Sequence, residues 1–159
     1  MGKFRSSLVA EFLPPRNWEL TEDLKFNADT LNDSDKSVLN EVPGIKCTKA
    51  GMLTVPVGYI TDLASIPRIC WMFIAPFDVA RAAVLHDILY EKINVGFKDK
   101  ALKKRSPYRR VADKVFLEGM LSAVPSISKW KVYSCYYAVR WFGWGAIKKS
   151  IITRTRTNL

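Results

Sequence analysis

His86 is the only histidine of the chain, and it stands in the run Ala83-Val84-Leu85-His86-Asp87-Ile88-Leu89-Tyr90. An imidazole beside a carboxylate, with a phenol four residues on, can accept, hold and pass a proton near neutral pH. The surrounding apolar residues recur with a helical period. His86 and Tyr90 therefore share a helix face, and Asp87 lies about 100° further round, where it can meet a loop or an ion. The plainer reading is a hydrogen-bonded core histidine.

A second carboxylate, Asp113, lies in Arg109-Arg110-Val111-Ala112-Asp113-Lys114-Val115-Phe116. Arg109 and Asp113 are four apart and can pair on a helix surface, a contact worth at most about 0.5 kcal/mol. If the two helices run antiparallel, Asp113 can instead reach the imidazole of His86, fixing its tautomer and raising its basicity. Both readings are open at this level. A third segment, Val57 to Arg68, ends a strand at Gly58 and carries Asp62 on the exit loop, where scaffold-held functional groups tend to sit. Capping of local backbone by Asp62 and Ser65 is the alternative there. Arg68, Arg109 and Arg110 are the candidate contacts for an anion or a partner.

These residues need elements to hold them. The first third reads as β structure and loops: alternation in Trp18 to Ala28, turn chemistry in Leu31 to Ser37, then strands at Ile45 to Thr48 and Met52 to Val57. Pro56 places the last strand at a sheet edge or ends it there. Asp78 is the expected N-cap of a helix running to about Ile93, with Val79, Ala82, Ala83, Leu85, Ile88 and Leu89 inward. A basic loop, Asn94 to Pro107, precedes a second helix from about Tyr108 to Ala123. It buries Ala112, Val115, Phe116, Leu117, Met120 and Leu121 and is stopped by Pro125. A third helix extends from Ser128 to about Lys149. Strands first and helices after define an α+β fold: short antiparallel strands, then about three α-helices, two of them an antiparallel pair. Residues 1–150 read as one domain, 56–120 as its compact centre, and 151–159 as a flexible basic tail.

Composition narrows the partners. The chain has 159 residues and a net charge of +10. That excess favours an acidic partner: an anionic membrane surface, an acidic subunit face, or nucleic acid. No helix-turn-helix, zinc-finger or aromatic-sheet signature accompanies the charge, so nucleic acid is the weakest of the three. Three widely spaced cysteines, Cys47, Cys70 and Cys135, argue against a disulfide framework and for a reducing compartment. The N-terminal residues lack the apolar core of a signal peptide. Trp130, Tyr133, Tyr136, Tyr137, Trp141, Phe142 and Trp144 fall in the third helix between lysines. That segment is too short to span a bilayer and contains Arg140. It is expected to close the core and offer its spare aromatic face to another subunit, a membrane-surface role being the alternative.

The blocks Val57 to Arg68, Ala83 to Tyr90 and Arg109 to Met120 resemble, in that order, the phage and prophage family of domains of unknown function numbered 1353. The resemblance covers somewhat under half of the chain. It implies a phage protein and no particular reaction. A more local pattern, His86-Asp87-x-x-Tyr90 followed by Ala112-Asp113-x-x-Phe116, is similar to the helix pair of secreted and parvoviral phospholipases A2. That similarity implies His86 as the general base activating a water, Asp113 as its orienting carboxylate, Tyr90 as support, and calcium held by Asp87 and Asp62. The chain lacks the glycine-rich calcium loop and the disulfides of the secreted enzymes.

Three functions follow as expectations. The first is a virion component, tail or tail-associated, bound to other phage proteins in an assembly and found in the particle or the host cytoplasm. The second is a small His–Asp hydrolase, for which the phospholipase resemblance implies calcium dependence. The third is an accessory protein on a membrane surface or nucleic acid.

Overall fold

The computed structural model describes residues 2–62, 74–75, 79–103 and 105–141. Ser65, Arg68, Cys70, the expected cap Asp78, and residues 142–159 with the basic tail lie outside the described residues. The elements run β1 (Lys3–Phe4), β2 (Ala10–Leu13), β3 (Asn17–Leu20), β4 (Leu24–Asn27), α1 (Asp33–Asn40), β5 (Met52–Val55), β6 (Ile60–Thr61), α2 (Ala80–Lys98) and α3 (Arg105–Leu121). Residues 129–141 form a further helix, α4. The fold is α+β, with short antiparallel strands ahead of the main helices.

Two three-stranded antiparallel sheets share the N-terminal half, ordered β1-β4-β5 and β2-β3-β6. In the first, Phe26 pairs with Phe4 and Leu53, and β5 is an edge strand that ends just before Pro56. This fits a residue unable to donate to a ladder. In the second, the turn Pro56-Val57-Gly58-Tyr59 closes with Tyr59 N–H donating to Pro56 O at 3.2 Å. Gly58 has φ of 80°, the left-handed value the third residue of such a turn requires, and a Cβ there meets only Glu19 Oε1 at 3.9 Å. Conformation, rather than space, demands glycine. The turn delivers β6 onto β3, with Thr61 opposite Trp18.

Two expectations fail in this half. Leu31 to Ser37 is the start of a helix instead of a turn. Asn32 is the N-cap, its side chain accepting from Asp35 N–H at 2.8 Å, and Asp33 and Asp35 occupy the first turn. Asn, Asp and Ser favour turns and helix N-termini for the same reason, local bonds to backbone N–H groups, so the composition alone was ambiguous. Nor is Ile45 to Thr48 a strand. Asn40 captures Cys47 instead, accepting from its N–H at 2.8 Å and donating to its carbonyl at 3.0 Å.

The helices form a layer against the sheets. Val84, Leu85, Ile88, Leu89 and Ile93 of α2 pack with Leu24, Phe26, Leu53 and Val55 of the first sheet, and with α1. The opposite side of the layer (Val79 at the N-cap of α2, Ala82 and Ala83 within it, Phe116 and Met120 of α3) receives Val132, Cys135 and Val139 of α4. The expected inward faces of α2 and α3 are buried, with Leu117 and Leu121 partly so. Both helices are displaced from their expected bounds. α2 runs on to Lys98, and α3 starts at Arg105, taking Pro107 into its first turn, where a missing N–H is harmless. The connection is therefore short, and the helices run antiparallel: Ala82 lies against Gly119, Tyr90 against Arg109, and Phe97 against Tyr108. A Cβ on Gly119 would stand 3.0 Å from that of Ala82, so glycine sets this close approach.

Candidate functional site

The antiparallel pair brings His86 and Asp113 into direct contact. Nε2 of His86 lies 3.0 Å from Asp113 Oδ1, with the histidine 5 % exposed and the aspartate wholly buried. Tyr90 donates its hydroxyl to the same oxygen at 2.5 Å, and Arg140 of α4 donates to Oδ2 at 2.9 Å. A carboxylate has only acceptors to offer, so the His86 nitrogen facing it carries the proton. Phe116 and Tyr90 flank the imidazole, with ring centroids at 4.8 and 4.1 Å.

Burial pushes the Asp113 carboxyl upward, but hydrogen bonds from His86, Tyr90 and Arg140 outweigh it and hold the group below its ordinary value. Tyr90 moves the other way. Burial first, then the adjacent Asp113 charge and the bond to it, push its phenol well above the usual range. The bond to Asp113 raises Arg140 further still. The site is thus an ionised carboxylate sealed among three donors, with a guanidinium as its counter-charge.

Arg109 has a different place from the surface pairing expected of it. Its Nε donates to the Tyr90 hydroxyl at 2.9 Å, and NH2 donates to the carbonyls of Val139 and Arg140 at 3.3 and 3.1 Å. It ties α3 to α4 behind the Asp113 cluster. Arg110 stands 3.9 Å from Asp35 of α1, which also accepts from Lys114 at 2.7 Å. The two adjacent arginines therefore each bind a different part of the fold.

Asp87 is turned about 100° round α2 from His86 and faces β6. Its Oδ2 accepts from the Thr61 hydroxyl at 2.7 Å, so β6 is fastened to the helix one residue before the exposed Asp62. Among the described residues, no group of three or more histidine, cysteine, aspartate or glutamate side chains is placed to hold a metal ion.

Three further residues hold these groups in place, and the sequence marks none of them plainly. Arg140 lies 27 residues beyond Asp113 and had one signal, its standing as the lone charge between Val132 and Trp141. Thr61 had none. Glu118, 3 % exposed, accepts from Asp29 N–H at 2.9 Å, Thr30 N–H at 3.1 Å and the Thr30 hydroxyl at 2.6 Å, pinning α3 to the end of β4.

Fold and site define an α+β protein whose helical layer closes on one buried carboxylate. Residues 38–139, more than half of the chain, match the family model described as "Protein of unknown function (DUF1353)", and the chain belongs to that family. The match begins in the last turn of α1 and takes in nearly all of α4, so it extends well beyond the three blocks that carried the resemblance. No curated protein and no solved structure matches the chain. The likeness to phospholipases A2 is not shown by these comparisons and rests on the helix pair alone.

Proposed function

We propose that the protein is a structural or assembly component of a phage particle, tail or tail-associated, present in the virion and, before assembly, in the host cytoplasm. The observation that carries this reading is the sealing and neutralisation of Asp113. His86 and Tyr90 of α2 and Arg140 of α4 all spend their donors on one carboxylate of α3. The Arg140 guanidinium, 2.9 Å from Asp113, supplies the counter-charge that lets this carboxylate stay buried. Such a cluster specifies how helices dock. Phage origin enters through the family resemblance.

The test pairs two measurements. In the structural reading, His86→Asn lowers the melting temperature by several degrees, and the wild-type chain co-purifies with virions through a density gradient. Absence of the chain from purified particles would refute the virion role.

One geometric fact favours a hydrolase as the second reading. His86 and Tyr90 converge on a single oxygen of Asp113, the arrangement expected of an oriented general base. With Nε2 held by Asp113, Nδ1 would take a proton from water as the water oxygen adds to an ester carbonyl, then give it to the departing alkoxide as the ester C–O bond breaks, releasing acid and alcohol. His86→Asn would then abolish hydrolysis of a lipid ester while barely moving the melting temperature. That pair of results separates the two readings.

A further inference from the structure

The outer face of α4 carries a row of aromatic side chains that the core does not use. Trp130, Tyr133, Tyr137 and Trp141 are 57, 41, 50 and 72 % exposed. Their spacing of three, four and four places all of them within about 80° of helix arc, over about 16 Å of axis. Val132, Cys135 and Val139 occupy the opposite arc and are buried. The rings also stack along the row, with Tyr137 and Trp141 centroids 6.0 Å apart and the Lys131 ammonium 5.7 Å from the Trp130 ring centre.

Charge identifies what this face meets. From Gly119 to the last residue the chain has no aspartate or glutamate, whereas Lys129, Lys131, Lys148, Lys149, Arg154 and Arg156 are all cationic, besides Arg140, whose charge is taken up by Asp113. Lys129 and Lys131 project to either side of the aromatic row, at about 100° from Trp130 each way. Tryptophan and tyrosine have apolar rings with one polar handle, the chemistry that settles at the boundary between lipid headgroups and acyl chains. A convex helix face offers no groove for a nucleic-acid strand. A second copy would set one cationic row against another. No helix among the described residues is long and apolar enough to cross a membrane.

We propose that α4 lies on the surface of an anionic bilayer, with Trp130, Tyr133, Tyr137 and Trp141 seated among the headgroups and Lys129 and Lys131 against lipid phosphates. This holds whether the Asp113 cluster is structural or catalytic, since none of the four rings belongs to it.

The experiment is vesicle co-sedimentation of the full chain, with phosphatidylcholine alone and with phosphatidylcholine containing about 30 % phosphatidylglycerol. Binding is expected on the anionic vesicles, with a blue shift of tryptophan emission, and at least about tenfold weaker binding on the neutral ones. The double variant Trp130→Ser/Trp141→Ser should bind at least about tenfold more weakly with its melting temperature preserved. The charge reversal Lys129→Glu/Lys131→Glu provides a second variant that leaves the rings in place, and it should lose the preference for anionic lipid. Equal binding to both vesicle types overturns the proposal, as does wild-type binding by the tryptophan double variant. A solution dimer dissolved by that variant would assign the face to a second copy instead. Capture of single-stranded DNA through the same tryptophans, with vesicles ignored, would assign it to nucleic acid.

Discussion

Arg140 on α4 bonds Asp113 on α3 at 2.9 Å, and this ion pair supplies the counter-charge for a carboxylate that has no exposed surface. It also makes α4 part of the site.

Removing the guanidinium tests that relationship. Arg140→Met should destabilise the protein by about 2 kcal/mol, below the roughly 3–5 kcal/mol of a fully buried pair because the arginine side chain keeps about a third of its exposure. The double variant Arg140→Met/Asp113→Asn should recover part of the loss, since the uncompensated charge is gone. Urea denaturation of the four proteins gives the coupling energy directly.

The acid and alkaline limbs of stability should belong to different residues. The Asp113 carboxyl is depressed in the folded state, so its contribution is present above the unfolded value near about pH 4 and lost as pH falls through the lower folded value. The Tyr90 phenol is raised. Its contribution is complete below about pH 10 and declines as pH rises above that. Melting temperature against pH should therefore flatten on the acid side in Asp113→Asn and on the alkaline side in Tyr90→Phe.

Glu118 predicts a purely structural loss. Replacing it with alanine removes the acceptor for the Asp29 N–H, the Thr30 N–H and the Thr30 hydroxyl, at a cost of about 1–2 kcal/mol, because both residues are exposed and water can take over part of the bonding. Glu118→Gln keeps an acceptor and should cost less. Chemical denaturation ranks the two variants, and the reverse order would contradict the assigned bonds.

The N-cap of α1 is open to a small, signed test. Asn32→Ala should cost about 1 kcal/mol and Asn32→Asp close to nothing, because aspartate also accepts from the Asp35 N–H. Thermal melts of the two variants suffice to check it.

Legibility in the sequence followed the range of the forces involved. The faces of α2 and α3 could be read because burial of one face repeats every turn, and the edge position of β5 because proline cannot donate to a ladder. The helix α1 was not, since Asn32 to Ser37 satisfies a turn and a helix start equally well. Its choice was made by Leu39 and Val42 reaching the core and by Lys114 and Tyr108 of α3 meeting Asp35 and Glu41 at 2.7 and 2.6 Å. Helix ends were misplaced for a similar reason: the basic stretch after Asn94 reads as solvated loop, while Gly96, buried against Leu102 and Pro43, lets α2 continue.

The site divides in the same way. That His86, Asp87 and Tyr90 share one helix, and that Asp113 sits on the next, follows from spacing alone, because helical geometry is local. Which partner Asp113 would take was undetermined. Arg109 was its neighbour along the chain, yet the ion pair formed with Arg140, and Arg109 turned to Tyr90 and the carbonyls of α4. A buried carboxylate recruits whichever donors the packing of three helices brings within reach. That packing is set by residues as distant as Gly119 and Val132, beyond anything periodicity records.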